Sequence, residues 1–268
     1  MIDLHSHILP GLDDGAADLA TSLRMARLAV ADGVTQMVCT PHVVPGLYEN
    51  TFQKIEAAVI SLRRSLVREG IPLRIMAGAD VHVAPDLPEK LAAGSVPTLN
   101  GSRYFLFELP RRVVPPRIEV LAGRLIEAGF VPVVTHPERL SWVETRYDVL
   151  AELNRVGCLI QVTADSLTGH FGRSAFQMAE RLLDDGRIDV LASDAHGDDR
   201  RKPVLSLARA IVAARLGDEE ADRMVLKRPA AIVADRTLRP AAESRSARRG
   251  RTDRQRGMFV RLFKGGMA

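Results

Sequence analysis

Cysteine is scarce in this chain: of 268 residues only Cys39 and Cys158 carry a thiol. Each sits inside an apolar run, so a disulfide scaffold is not expected and reduced, buried thiols are. Thiol-based phosphate chemistry is excluded by spacing. A Cys-x5-Arg loop from Cys39 needs arginine where Pro45 stands, and one from Cys158 needs it where Ala164 stands. Long hydrophobic runs are missing as well. No stretch approaches the roughly 18 apolar residues of a membrane span, and the first residues lack a charged segment followed by an apolar one. A cytoplasmic protein is the expectation. No internal sequence repeat is present.

What the chain does have is 46% hydrophobic and 26% charged residues, enough core for one large α/β domain or two small ones. Its positive charge is uneven. Residues 236–268 hold ten Lys/Arg against two Asp/Glu, which leaves residues 1–235 mildly acidic. The expected organisation is therefore a body, 1–235, and a basic tail, 236–268, with disorder through its Arg-rich part. The end of that tail, Met258 to Lys264, combines basic and apolar residues. Such a segment suits weak contact with an anionic membrane or an anionic partner, and nucleic-acid binding is the competing use.

The body alternates short β-rich runs with helical periods. Leu19, Leu23, Ala26 and Val30 recur at helical spacing before Gly33, and Ile55, Val59, Leu62 and Leu66 do so before Gly70. Further helices are predicted around Ile118 to Leu125, over 147–156 and 174–185, and from about 203 onward. Strands are predicted at the N-terminus, over Gln36 to Thr40, Leu73 to Ala79, Tyr104 to Phe107, Val131 to Thr135, Cys158 to Thr163 and Ile188 to Ser193. Seven apolar, unalternating strands interleaved with helices suit a parallel sheet buried on both faces.

The polar residues choose between an open sheet and a barrel. Two histidines one residue apart, His5 and His7, leave the first strand, and Asp14 follows on a turn bounded by Pro10-Gly11 and Gly15. In extended chain, residues two apart share a face and can reach one ion. His42, Asp80, Glu108, His136 and the pair Asp194/His196 stand at the ends of further strands. Only the sixth strand, near Thr163, lacks such a residue. Five of the seven histidines thus collect just past strands, as expected where chemistry gathers at the C-terminal ends of a (β/α) barrel. Imidazoles and carboxylates without thiolate suit Mn, Fe or Zn. Nine donors exceed the needs of one ion, so two or three metals are expected, an arrangement suited to phosphoryl chemistry. His82 and His170 read as rim residues, Met25, Met76 and Met178 as core. Trp142 could equally line the mouth of the site or pack.

In this order the residues resemble the polymerase-and-histidinol-phosphatase (PHP) superfamily. The opening DLHSHILPGLDDGA, TPH at 40–42, THPER at 135–139 and SDAH at 193–196 resemble, more narrowly, bacterial metal-dependent protein-tyrosine phosphatases of capsule and exopolysaccharide loci. The resemblance covers residues 1 to about 235. It implies a distorted (β/α)7 barrel in a single domain, with one metal on His5, His7, the carboxylate at 80 and Asp194. A second ion would take Asp14, His42 and His196, and a third Glu108 and His136 with residue 80 bridging. It also implies phosphate-binding arginines at Arg139 and Arg201, with Arg200 as an alternative to the latter, and an optional general acid in Asp194 or His196. An arginine fork matches phosphate oxygens in two-point fashion. At one position the chain departs from the family: Asp80 stands where Glu is usual, which puts occupancy of all three sites in question.

The implied activity is hydrolysis of phosphotyrosine by metal-activated water, with manganese as the first choice of ion, acting on a tyrosine autokinase that regulates exopolysaccharide or capsule synthesis. Within the superfamily the alternatives are a small-molecule phosphatase of the histidinol-phosphate kind and a nucleic-acid phosphodiesterase. An amidohydrolase shares the His-x-His start but typically presents a bridging Lys, absent here. A non-catalytic regulatory binding protein is disfavoured because every ligand position is filled. The sequence leaves open association into a homo-oligomer.

Overall fold

The structure is a computed structural model of the chain and describes residues 1–241. Strands and helices alternate along most of it. β1 (Ile2–Ser6), α1 (Leu19–Ala31), β2 (Gln36–Cys39), β3 (His42–Val43) and α2 (Phe52–Arg68) come first, then β4 (Arg74–Ala77), β5 (Asp80–His82) and α3 (Leu87–Ala92). They are followed by β6 (Tyr104–Glu108), α4 (Ile118–Glu127), β7 (Val131–Thr135), α5 (Tyr147–Val156), β8 (Leu159–Thr163), α6 (Ala164–Leu167) and α7 (Arg173–Asp184). β9 (Val190–Ala192) precedes α8 (Ser206–Leu216), α9 (Asp218–Asp222) and α10 (Arg228–Val233). The first two helices start where short polar side chains satisfy free amides. Asp18 accepts from the Thr21 amide ahead of α1, and Thr51 from that of Lys54 ahead of α2, which buries Ile55, Val59, Leu62 and Leu66.

All strand pairings within the two sheets are parallel. One sheet has the order β1-β2-β4 and the other β3-β5-β6-β7-β8-β9. Seven strands predicted from sequence become nine because two are interrupted. β2 breaks before β3 at Thr40-Pro41, and β4 breaks before β5 at Gly78-Ala79. Pro41 has no amide to donate, yet its carbonyl accepts from the Asp80 amide at 3.1 Å. The register is unbroken, with Cys39 opposite Ala77 and His42 opposite Asp80. Gly78 is required at the break: a Cβ there would lie 2.6 Å from Val38 Cγ1. No closed sheet is formed among the described residues. At the far edge, Ser6 bridges Ala195 in parallel, the His7 amide donates to the Ala195 carbonyl at 2.8 Å, and that of Asp194 to the His5 carbonyl at 2.9 Å.

The core explains how strands deliver polar residues to one place. Ile2, Leu4, Val38, Met76, Tyr104, Leu106, Val133, Leu159 and Val190, from all seven strand units, form one buried cluster, with Ile232 of α10 against it. Side chains two residues apart share a face, so that apolar cluster continues into polar positions: Val38 to His42, Met76 to Asp80, Leu106 to Glu108, Leu159 to Gln161 and Val190 to Asp194. β1 departs from this parity, and its pairing slips between Asp3 and Ser6, a bulge that re-aims the following side chains. The larger cluster fills the space between sheets and helices and includes Met25, Met178 and Trp142. Trp142 packs, its indole donating to the Pro110 carbonyl at 2.9 Å. Both cysteines are free and buried.

Residues 236–241, assigned from sequence to the basic tail, are built into the body. The Tyr104 hydroxyl donates to the Arg236 carbonyl and accepts from the Leu238 amide, and the Ala241 amide donates to Asp189. The expectations of disorder and of membrane or partner contact for the remainder of the tail fall outside the described residues.

Two buried carboxylates fasten the frame. Asp3 accepts from the Ser193 amide and hydroxyl and so ties β1 to the end of β9; Asp189 accepts from the Ile160 and Ala241 amides. Burial pushes the Asp3 carboxyl up to about 6 and that of Asp189 up to about 7. A carboxyl raised on folding contributes most when protonated, so its stabilisation is complete below its ordinary pKa and fades as pH rises toward 7. Relative to Asp189→Asn, the wild-type chain is predicted to lose roughly 2–3 kcal/mol between pH 5 and pH 8, read by urea unfolding at each pH. A constant difference between the two proteins across that range would contradict the assignment.

Candidate metal centre

The polar ends of the strands converge. His5 and His7 come from the end of β1, His42 begins β3, Asp80 begins β5, Glu108 ends β6, His136 follows β7, and Asp194 and His196 follow β9. Asp14 arrives by the turn after β1. Gly15 makes that turn possible, since a Cβ there would sit 2.2 Å from the His7 carbonyl oxygen. His136 and Asp194 both hold left-handed backbone, φ 35° and 51°, and Arg201 does so at 49°. Such conformations are costly for these residues and are held by the surroundings. The His136 amide, for instance, donates to the Gln161 carbonyl at 2.9 Å.

Four overlapping groups of donor atoms result: His7, Asp14, His42 and His196; His5, His7 and Asp80; His5, His136 and Asp194; and His42, Asp80 and Glu108. In each the atoms lie within 4.8 Å of one another. The nine residues singled out from sequence as ligands all fall in these groups. Their partition differs from that implied by the resemblance, because Glu108 meets His42 and Asp80 while His136 meets His5 and Asp194. Asp80 belongs to two groups. Its Oδ2 lies 3.5 Å from His5 Nε2, 3.4 Å from His42 Nδ1 and 3.9 Å from His136 Nε2.

Divalent ions fit this donor set. Asp80 Oδ2, His42 Nδ1 and His196 Nε2 are buried with no hydrogen-bond partner, a condition that costs about 1–3 kcal/mol per group unless another partner is supplied. The Nε2 atoms of His5 and His7 face each other at 3.1 Å, which sets lone pair against lone pair unless a cation or proton lies between. Nitrogen and carboxylate donors without sulfur suit Mn, Fe or Zn.

Electrostatics divide the imidazoles between neutral and protonated forms. Burial pushes the His5 imidazole down to about 3, keeping it a neutral donor. Burial also opposes charge on His7, but the Asp13 and Asp194 carboxylates prevail and hold it up at about 10. Burial resists ionisation of Asp80 and Asp194 too, yet neighbouring imidazoles, and Arg201 beside Asp194, keep both carboxyls well below their usual range.

Outer partners fix which nitrogen each histidine presents. His5 Nδ1 donates to Gln161 Oε1 at 3.0 Å, His7 Nδ1 to Asp13 Oδ2 at 2.6 Å, and His196 Nδ1 to the Asp194 carbonyl at 2.9 Å. Each leaves Nε2 for the centre. Asp13 also accepts from the His42 and Gly15 amides. Neither Asp13 nor Gln161 is among the sequence-derived site residues, although a glutamine inside the apolar run of β8 is the signal that points to the latter. Glu138, buried, accepts from the Thr163 amide and the Ser166 hydroxyl.

Of the residues assigned to catalysis from sequence, Arg139 and Arg201 both donate to Asp194 Oδ2, while Asp194 Oδ1 lies 3.3 Å from both His5 and His7 Nε2. Asp194 thus joins the imidazole cluster to the guanidinium pair. Arg200 is exposed. His196 lies 3.5 Å from Asp14. His82 stands at the rim, 3.5 Å from Glu108, and His170 is exposed. Tyr48 stacks on the His42 ring at 5.8 Å.

Comparison with known proteins gives three results. Residues 1–234 match the family described as Capsular polysaccharide synthesis, CpsB/CapC. The chain is 37% identical over 196 residues to the tyrosine-protein phosphatase YwqE of Bacillus subtilis, covering 73% of this chain and 77% of that one. It is 30% identical over 243 residues to the tyrosine-protein phosphatase CpsB of Streptococcus pneumoniae, 89% of this chain and 100% of that one. A crystal structure from work on YwqE and CpsB, described there as unique metal-dependent tyrosine phosphatases, superposes with a TM-score of 0.87 at 32% identity, covering 90% of this chain and 98% of that one.

Outer partners of metal-binding histidines typically change affinity by about 10–100-fold. Asp13→Ala and Gln161→Leu are each predicted to weaken Mn binding by that factor in a chelator competition, with the circular dichroism spectrum unchanged. Wild-type affinity in both variants would show that the tautomers are set some other way.

Proposed function

The chain belongs to the CpsB/CapC family of capsular polysaccharide synthesis, and from that premise we propose that it is a metal-dependent phosphotyrosine-protein phosphatase. The observation that carries the proposal is the junction at Asp194, one carboxylate shared between a cluster of imidazoles and two arginines. Metal sites and anion sites thereby lie side by side, as a phosphate monoester requires.

His5, His7, Asp14, His42, Asp80, Glu108, His136, Asp194 and His196 hold two to three divalent ions, with Mn the first choice and Fe or Zn as alternatives. Such ions supply Lewis acidity toward phosphoryl oxygens and lower the pKa of a coordinated water. Arg139 and Arg201 orient the phosphate and match its charge as it spreads over the equatorial oxygens. A tyrosine leaving group, with a reference pKa of about 10, departs without a dedicated acid. Asp80 is shared between two donor groups despite being shorter than Glu, because His5 and His42 both come within 3.5 Å of the same oxygen.

The wider reading follows from the same geometry. A buried cluster drawing on every strand unit, together with the bridge from Ser6 to Ala195, supports a distorted (β/α)7 barrel of the PHP type over residues 1–235. The partner is a phosphotyrosine protein, a bacterial tyrosine kinase of capsule or exopolysaccharide synthesis being the kind that fits. Among the described residues no helix is long and apolar enough to cross a membrane. A cytoplasmic location is part of the same proposal, as the place of a kinase's phosphotyrosine.

Protein stripped of metal and resupplied with Mn, Fe or Zn is the test, assayed on a phosphotyrosine peptide, a phosphoserine peptide, histidinol phosphate and single-stranded DNA. Phosphate release from phosphotyrosine should return with metal and be abolished by His136→Ala. Cleavage of DNA with no turnover of the peptide would overturn the proposal.

A further inference from the structure

One aromatic ring touches both arginines of the proposed phosphate site. Phe171 lies between α6 and α7, with the Arg139 guanidinium carbon 4.3 Å from its ring centroid and that of Arg201 5.7 Å away. Both fall within the roughly 6 Å over which an aromatic face attracts a cation. Resting on the reading of Arg139 and Arg201 as the phosphate clamp, we propose that Phe171 is the positioning residue that holds these two guanidiniums in place for phosphate.

Two like charges delivered from the ends of β7 and β9 repel, and what opposes that repulsion decides whether they converge. Asp194 Oδ2 accepts from both, but Asp194 also faces His5 and His7 across the metal centre. Its charge is therefore divided between metal ions and arginines whenever the centre is filled. A ring face is a partner of another kind. It attracts a guanidinium without accepting an N–H···O bond and leaves the N–H edge free to donate to phosphate, where a second carboxylate would compete for that edge. The Nε atoms of both arginines are buried without a hydrogen-bond partner, so few other contacts fix their side chains.

The ring is itself held. Glu138, in the turn that carries Arg139, accepts from the Thr163 amide and the Ser166 hydroxyl, and the His170 amide donates to the Asp165 carbonyl. The turn over residues 137–139 and the segment leading to Phe171 are thus fastened together at Glu138 and again at the Arg139–Phe171 contact. Gly169 and Gly172, both at φ 86°, bend the chain on either side.

The experiment measures binding of inorganic phosphate to the Mn-loaded protein by calorimetry, alongside KM and kcat for p-nitrophenyl phosphate and the inhibition constant of phenylphosphonate. Two contacts of this kind are together worth about 5–30-fold. Phe171→Leu and Phe171→Met should weaken inorganic phosphate by that factor and raise KM more than they lower kcat, with bound Mn unchanged. Phe171→Tyr should stay within about threefold of wild type. Undiminished phosphate affinity in the Leu and Met variants, with losses confined to aryl ligands, would overturn the proposal and make the ring a wall for the substrate's own ring. Loss of bound Mn in those variants would overturn it as well. Arg139→Ala separates the premise: full phosphate affinity in that variant would remove the clamp itself, whereas loss there without loss in Phe171→Leu would remove only the role of the ring.

Discussion

Asp80 presents a fully buried carboxylate oxygen that accepts no hydrogen bond and is faced by nitrogens of three histidines. An ionised group in that position is tolerable only if positive charge is brought to it. Much of the upper half of the molecule answers to this requirement. Gly78 lets the strand carrying Asp80 cross close to Val38, Pro41 keeps its carbonyl in the ladder at the break in the neighbouring strand, and the slip in β1 turns His5 and His7 toward the same space. His136 and Asp194 adopt left-handed backbone to reach it. Below the charged layer, an apolar residue from each strand unit supplies a rigid floor, and the burial of that floor offsets the strain above.

The carboxylate that matters next is Asp194. Asp80 turns Oδ2 to three imidazoles, whereas Asp194 looks both ways, toward His5 and His7 with one oxygen and toward Arg139 and Arg201 with the other. That division sets the imidazole cluster and the guanidinium pair a single carboxylate apart.

Much of this was legible before any coordinates. The gathering of imidazoles and carboxylates at strand ends can be read because strand polarity in a parallel sheet sends every C-terminus the same way, and a period of two leads from Met76 to Asp80 and from Leu106 to Glu108. The helices from Leu19, Ile55 and Tyr147 were written in their apolar spacing. The partition of ligands was not legible, since it depends on which strands are neighbours: Glu108 meets His42 because β5 lies between β3 and β6. Asp13 and Asp14 are indistinguishable as adjacent carboxylates until the turn at Gly15 aims one at an imidazole's outer nitrogen and the other inward. Gln161 is hard to read because it lies two positions before the end of its strand, inside the apolar run of β8, where it meets His5 Nδ1. Phe171 escaped because a loop phenylalanine has no pattern of its own. Composition does not register that the Leu238 and Ala241 amides donate to the Tyr104 hydroxyl and the Asp189 carboxylate.

The central claim is that Asp80 is common to more than one bound ion. Metal content per chain, measured by elemental analysis on Mn-loaded wild type and Asp80→Ala after exhaustive removal of free ion, tests it most directly. The account predicts two to three Mn per chain in wild type and a loss of more than one on removing this single carboxylate. One ion in wild type, or a loss of no more than one in the variant, would contradict it.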